Sequence, residues 1–181
     1  MKKLLLTLLS CFLFLNYSCN KDDLTGFTFT HDYAELTFQV NPTTLQGDLT
    51  LGTMEVETDI QSLMSENKMS IDNLNSVKVS AIKLTINDVN STPYNFNLLG
   101  KIKAEIGSVN GTSMIQFAQK DPVPTGGLNS IDLDVAGTDL LPYFKLTKFK
   151  FNLSGFTNGP IDHAFEVKVL MKVKFEGQVI K

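Results

Sequence analysis

The chain has no tryptophan, and all sixteen of its basic residues are lysines. Arginine makes the bidentate contacts that recognise carboxylates and phosphates, and tryptophan and arginine dominate many protein interfaces. Their absence argues against a strong site for anionic ligands and excludes a tryptophan platform for stacking sugar rings. Tyr33, Tyr94, Tyr143 and an exposed phenylalanine remain as candidates for stacking.

Cysteine is also scarce, and both copies, Cys11 and Cys19, lie close to the amino terminus. Lys2 and Lys3 are followed by an apolar stretch at 4–15, which has the length of the hydrophobic segment of a secretion signal. This stretch is too short to span a bilayer. The sequence therefore predicts an exported protein.

The cleavage point is predicted before Cys19, because Ser18 supplies the small residue that a lipoprotein signal peptidase requires. Leucine usually stands three places before the lipidated cysteine, where this chain has Asn16, and the segment 8–11 ending in Cys11 fits that rule better. Cleavage at Cys11 would leave the apolar residues 12–15 exposed to water. We therefore predict a signal peptide at 1–18 and lipidation, with palmitate, at Cys19.

Lys21, Asp22 and Asp23 follow closely behind Cys19. This tail resembles the export signal of Bacteroidetes surface lipoproteins, in which a lysine and two acidic residues follow the lipidated cysteine. The resemblance covers residues 1–23 and does not extend to the folded domain. It implies a lipid-anchored outer-membrane protein displayed at the cell surface, with a periplasm-facing orientation as the alternative.

The mature chain has the size of one domain, which we divide into a lipid-anchored tether at 19–25 and a folded domain at 26–181. The folded domain has no cysteine, which excludes a disulfide, a thiolate nucleophile and a cysteine-ligated metal there. The formal charge of the whole chain is -3, and removal of two lysines with the signal peptide makes the mature chain more acidic. This charge disfavours nucleic acid as a partner.

Alternation of apolar and polar residues dominates the chain after residue 25, and it is clearest at 165–175, where only Leu170 breaks the polar row. The pattern changes phase at Gly52 and after Ala81, as it does at a β-bulge. Further strands are predicted at 27–30, 36–40, 48–57, 77–86, 102–106, 113–119, 131–135 and 148–153. These half-polar strands predict an all-β fold, an antiparallel two-sheet β-sandwich of jelly-roll or immunoglobulin-like topology.

Helix is expected only in short pieces. Apolar residues at helical spacing predict one helix at 59–67, with Thr58 as the capping candidate. A second helical turn is predicted at 138–141, stopped or kinked at Pro142.

The two histidines, His31 and His163, have no partner at the spacing of a zinc motif. We expect His31 and Asp32 to mark a turn, and His163 to form a solvated pair with Asp162 in a loop. A calcium site from Asp132, Asp134 and nearby Asp139 is conceivable, but opposite charges across neighbouring strands explain these acids more simply.

We find no motif for a nucleophile elbow, a phosphate loop or a dinucleotide site, and so predict no catalytic residues, no metal and no cofactor. The function that fits best is a lipid-anchored binding or interaction module, with the membrane and an outer-membrane protein or surface ligand as partners. Two alternatives remain: a structural or adhesive element pairing through strand edges, and a carrier with an apolar cavity between its sheets.

Overall fold

The computed structural model describes residues 24–90 and 93–180, which form two antiparallel β-sheets packed face to face. The first sheet comprises β1 (Leu24–Asp32), β2 (Leu36–Val40), β4 (Leu74–Asn87), β7 (Ser130–Asp132) and β10 (Phe165–Ile180). The second comprises β3 (Gly47–Glu57), β5 (Leu99–Ser108), β6 (Met114–Lys120), β8 (Asp134–Val135) and β9 (Lys148–Thr157). The predicted β-sandwich is confirmed.

The strand order identifies the topology as a jelly roll. The first sheet has the order β1-β10-β4-β7, with β2 also on β10, and the second has the order β3-β9-β5-β6-β8. Strands β1 and β2 pair with successive parts of β10 on the side opposite β4, so together they act as one edge strand. The last long strand therefore lies beside the first, and β3, β9, β5 and β6 are neighbours in the other sheet, as in the double Greek key of a jelly roll.

The core lies between the sheets and is formed by the predicted apolar faces. In β10 the odd-numbered residues from Phe165 to Phe175 are buried, while Leu170 is exposed as expected. Aromatic rings fill much of the space between the sheets: Phe151 of β9 stacks on Phe38 of β2 at 5.6 Å between ring centroids and meets Phe117 of β6 at 5.8 Å. This packing leaves the centre of the sandwich filled by contacting side chains.

Both predicted bulges are present. The pairing of β3 with β9 shifts between Thr50 and Gly52, and the pairing of β4 with β10 shifts so that Ser80 has no partner beside Ala81. A side chain at Gly52 would run into the ring of Phe38, which explains why glycine occupies this bulge.

The strand predicted at 131–135 is wrong in part, because the chain changes sheets within it. Ile131 lies in β7 of the first sheet, whereas Val135 lies in β8 of the second and is 37% exposed. Leu133 between them is buried, and its N–H donates to the carbonyl of Ile82. Alternation could not reveal this crossing, since the buried positions keep period two up to Leu133.

Two short helices are present, but their ends differ from the prediction. In α1 (Ile60–Glu66) the N-cap is Asp59, and Thr58 does not cap, because its hydroxyl donates to the carbonyl of Leu146 at 2.7 Å. In α2 (Leu141–Phe144) Pro142 stands in the first turn, where its missing N–H costs no helical bond, and so it begins the helix and does not end it. Within the described residues, no helix has the length and apolarity needed to cross a bilayer.

The connections gather at the two ends of the sandwich. The end that holds Leu24 and Ile180 also carries the two helices and the turn at 109–113. The opposite end carries the connections 41–46, 88–98, 121–129 and 158–164. Strand β1 begins at Leu24, three residues before the predicted start at Phe27.

Candidate binding site

A depression of about 440 Å³ lies on the outer face of the first sheet. Strands β1, β10, β4 and β7 all contribute to its lining, which consists of Asp32, Tyr33, Ala81, Lys83, Asp132, Leu170, Met171 and Lys172. Its volume falls within the range of small-molecule sites, roughly 300–1,000 Å³. Depressions lined by 42–44 and by 57–62 have volumes in the same range but a more polar surface, so we take this one as the candidate binding site.

Two irregularities in strand pairing flank the depression. On one side of β10, the bulge at Ser80 precedes Ala81, which pairs with Lys172. On the other side, residues 33–35 stand opposite only two residues of β10, because Asp32 pairs with Lys172 and Leu36 with Val169. Bulges bend a strand and increase its local twist. A bend on each side of Leu170 opens space above it that a regular pleated sheet would not leave.

The floor of the depression is apolar and its rim is charged. Leu170 is 46% exposed, and Ala81 of the neighbouring strand is also exposed. Around them stand two lysines and two aspartates: Lys172 pairs with Asp32 at 3.4 Å, and Lys83 lies directly opposite Asp132 across β4 and β7. The exposed Lys172–Asp32 ion pair is weak and can be exchanged for a pair with a ligand at little cost. The site can thus hold an apolar group while charges of either sign contact its surroundings.

Two breaks in the sequence pattern mark this site. Leu170 is the one apolar residue in the polar row of β10, and Ala81 marks the phase change in β4. A single exposed leucine is common on protein surfaces. Only the pairing of β4 with β10 shows that the two signals fall at one place.

A second cluster joins two connections at the end of the sandwich remote from Leu24. His163 does not pair with Asp162 as predicted; its Nε2 lies 2.8 Å from Oδ2 of Asp88, whose side chain is 1% exposed. The ring of His163 also stacks on Tyr94 at 4.3 Å, and the hydroxyl of Tyr94 accepts the N–H of Asp162 at 2.6 Å. The predicted solvated pair is therefore wrong.

Asp88 organises this cluster as an ionised acceptor. Burial opposes its ionisation, but hydrogen bonds from the N–H of Tyr94, from His163 and from the N–H and side chain of Asn90 outweigh burial and hold the pKa of Asp88 well below its usual range. The short spacing from Asp88 to Asn90 is that of an Asx turn, which the sequence analysis did not consider. The cluster fixes the connections 88–98 and 158–164 against each other.

The other predicted polar residues are placed separately. His31 is the penultimate residue of β1 and not part of a turn, because the chain continues along β10 through the irregularity at 33–35. Asp134 pairs with Lys120 at 3.0 Å, whereas Asp139 accepts the N–H groups of Val77 and Leu141. Asp132 and Asp134 belong to strands of different sheets, and no group of three metal-ligating side chains occurs in the described ranges.

The aromatic candidates for stacking are mostly occupied. Tyr33 is buried and donates its hydroxyl to the carbonyl of Thr58 at 2.7 Å, and burial raises its pKa far above the usual value. Tyr94 is stacked on His163. Phe156, on the outer face of β9, remains 40% exposed. Cys11, Cys19, Lys21, Asp22 and Asp23 lie outside the described residues.

Comparisons with known proteins give no family. No protein-family model and no curated protein matches the chain. Among solved structures, Turnip Yellow Mosaic Virus matches with a TM-score of 0.30 at 8% identity over 87% of this chain and 97% of the other. A structure of infectious bursal disease virus strain Gt matches with a TM-score of 0.33 at 14% identity, over 86% of this chain and 33% of the other.

A structure of carbohydrate-binding modules from the β-sandwich superfamily also matches. Its TM-score is 0.29 at 13% identity, over 78% of this chain and 54% of that one. TM-scores this low carry no argument about function, so the assignment of a function has to come from the molecule itself.

Proposed function

We propose that the protein is a lipid-anchored binding module of the outer membrane, which binds its ligand or partner in the depression around Leu170. The observation that carries this proposal is an apolar floor inside a concave, charge-rimmed region of an otherwise polar sheet face. The solvent-facing side of an antiparallel sheet is ordinarily polar. The ligand is a molecule or chain segment with an apolar group and flanking charged groups.

The proposed anchor sets the height of this site above the membrane. If Cys19 carries the lipid, five residue steps lead to Leu24, which reach at most about 18 Å when fully extended. From Leu24 to Asp32 the strand rises by a further 26 Å or so. The depression would then face sideways along the membrane, at a height where it can meet a neighbouring outer-membrane protein or a ligand at the surface.

The binding site can be tested with 1-anilinonaphthalene-8-sulfonate, an aromatic anion that fluoresces on exposed apolar surface. Leu170→Thr removes the apolar floor without changing the charge. A matched control is Ile115→Thr, since Ile115 is also an apolar strand residue and is 39% exposed. We expect Leu170→Thr to weaken dye binding about fivefold to tenfold, from about 1 to 1.4 kcal/mol of lost apolar contact. Equal binding by both variants would contradict the site.

The location is tested separately by replacing Lys21, Asp22 and Asp23 with alanine. We expect this variant to remain lipidated but to become protected from protease added to intact cells. Unchanged protease accessibility would contradict the export signal. Protection of the unaltered chain as well would favour the periplasm-facing orientation.

A further inference from the structure

The first sheet has an unpaired edge along β1. Strand β1 pairs with β10 on one side, and no strand in the described ranges pairs with its other side. The N–H of Tyr33 donates to the carbonyl of Met171 at 2.9 Å, in the same register as β1. The N–H and C=O groups of successive residues in a strand point to opposite sides. Since those of Tyr33 point to β10, those of Gly26, Thr28 and Thr30 point to the unpaired side.

This edge lacks the usual protection against pairing. Exposed edges normally carry lysine, proline, inward-pointing charges or an early bulge. From Leu24 to His31 the strand has no residue of fixed charge and no proline. The first charged residue is Asp32, and the irregularity in pairing at 33–35 comes only after it. Phe27 and Phe29 are only half-buried, so a neighbouring strand would cover apolar surface as well as satisfy the backbone groups.

We propose that β1 pairs antiparallel with β1 of a second copy of this chain, with the two-fold axis at Thr28. In this register Thr28 faces Thr28 on the outer side, Thr30 faces Gly26, and Phe27 faces Phe29 on the core side. The threonine pair at the axis and the two phenylalanine pairs thus match in character, and every contact occurs twice, as in an isologous interface. Threonine pairs and aromatic pairs are both favourable across strands. The two first sheets become one continuous sheet.

The pairing has a geometric consequence that rests on the anchor proposed above. Antiparallel strands place the two Leu24 ends at opposite ends of the joined sheet, about 26 Å apart along the strands. Tethers as short as residues 20–23 cannot both reach one membrane in that arrangement when the strands stand upright. The paired chains can then be anchored in one membrane only when the joined strands lie along its surface.

Disulfide trapping in the full chain tests the pairing, since the folded part has no native cysteine. In Thr28→Cys the two new thiols face each other at a Cα distance of about 5.5 Å, within disulfide range. In Thr30→Cys, the matched control on the same strand face, they are offset by four residues, or roughly 13 Å. We expect mild oxidation to give a disulfide dimer with Thr28→Cys and none with Thr30→Cys. The proposal is overturned if Thr28→Cys gives no disulfide dimer, or if both variants and the unaltered chain give the same amount of dimer.

Two further arms separate this proposal from the anchor. Thr28→Lys places like charges opposite each other and should abolish the dimer in native extracts with an unchanged unfolding midpoint; a persistent dimer overturns the edge pairing. Cells carrying Thr28→Cys chains with two different tags are then mixed and oxidised. Dimers of one tag only support pairing between chains of one membrane, whereas dimers with both tags support the pairing but contradict the short anchored tether.

Discussion

The packing between the two sheets predicts a large loss of stability for Phe151→Ala. Phe151 is fully buried and contacts Phe38 of the opposite sheet and Phe117 of its own. Truncating a buried phenylalanine to alanine costs about 3–5 kcal/mol, and each aromatic pair adds about 0.5–1.5 kcal/mol beyond area burial. We therefore expect a loss near 5 kcal/mol, comparable to the whole stability of a modest domain.

Phe156→Ala is the matched control, because Phe156 lies on the same strand but faces outward and is 40% exposed. Its truncation should cost less than about 2 kcal/mol. The measurement is urea unfolding with the midpoint compared at constant slope. If the two variants lose the same stability, the contact between the sheets through Phe151 does not support the core as described, and the packing argument is refuted.

Three other predictions concern separate parts of the chain. Cys19→Ala should abolish labelling by an alkyne fatty acid while Cys11→Ala retains it; the reverse would place the mature start at Cys11. Gly52→Ala should cost about 1–3 kcal/mol in urea unfolding, because the added methyl group meets the ring of Phe38; an unchanged midpoint would show that the bulge has room. Asp88 has a lowered pKa in the folded state, so it stabilises the fold above pH 4 or so and this contribution is lost as the pH falls further. Asp88→Asn should therefore reduce the acid dependence of stability between about pH 2 and 4, and an unaltered pH profile would contradict the role of Asp88.

The strands could be predicted from the sequence wherever one face is buried and the other is exposed to solvent. Strand β10 is the clearest example, because lysine and glutamate alternate with valine and phenylalanine over its predicted length. Gly52 and Ala81 revealed bulges for the same reason, since an extra residue shifts a pattern of period two. At 131–135 the alternation is misleading, because the chain changes sheets while its buried residues keep period two up to Leu133.

The candidate site was only partly predictable. Leu170 and Ala81 are visible in the sequence as breaks in two patterns, yet they are 89 positions apart and nothing local links one to the other. The partner of His163 was predicted wrongly for a similar reason. Asp162 is adjacent in sequence, whereas Asp88 is brought close by the two connections at one end of the sandwich.

By itself the sequence determined the half-buried strands, the all-β class and the short helix near 59–67, and it predicts the anchor at Cys19. Each of these depends on local pattern or composition. Only the tertiary structure decided between a jelly roll and an immunoglobulin-like order, and only it placed two bulges beside Leu170 and left the edge of β1 unpaired. These features depend on which strands are neighbours, and strand neighbours are fixed by packing between residues far apart in the chain.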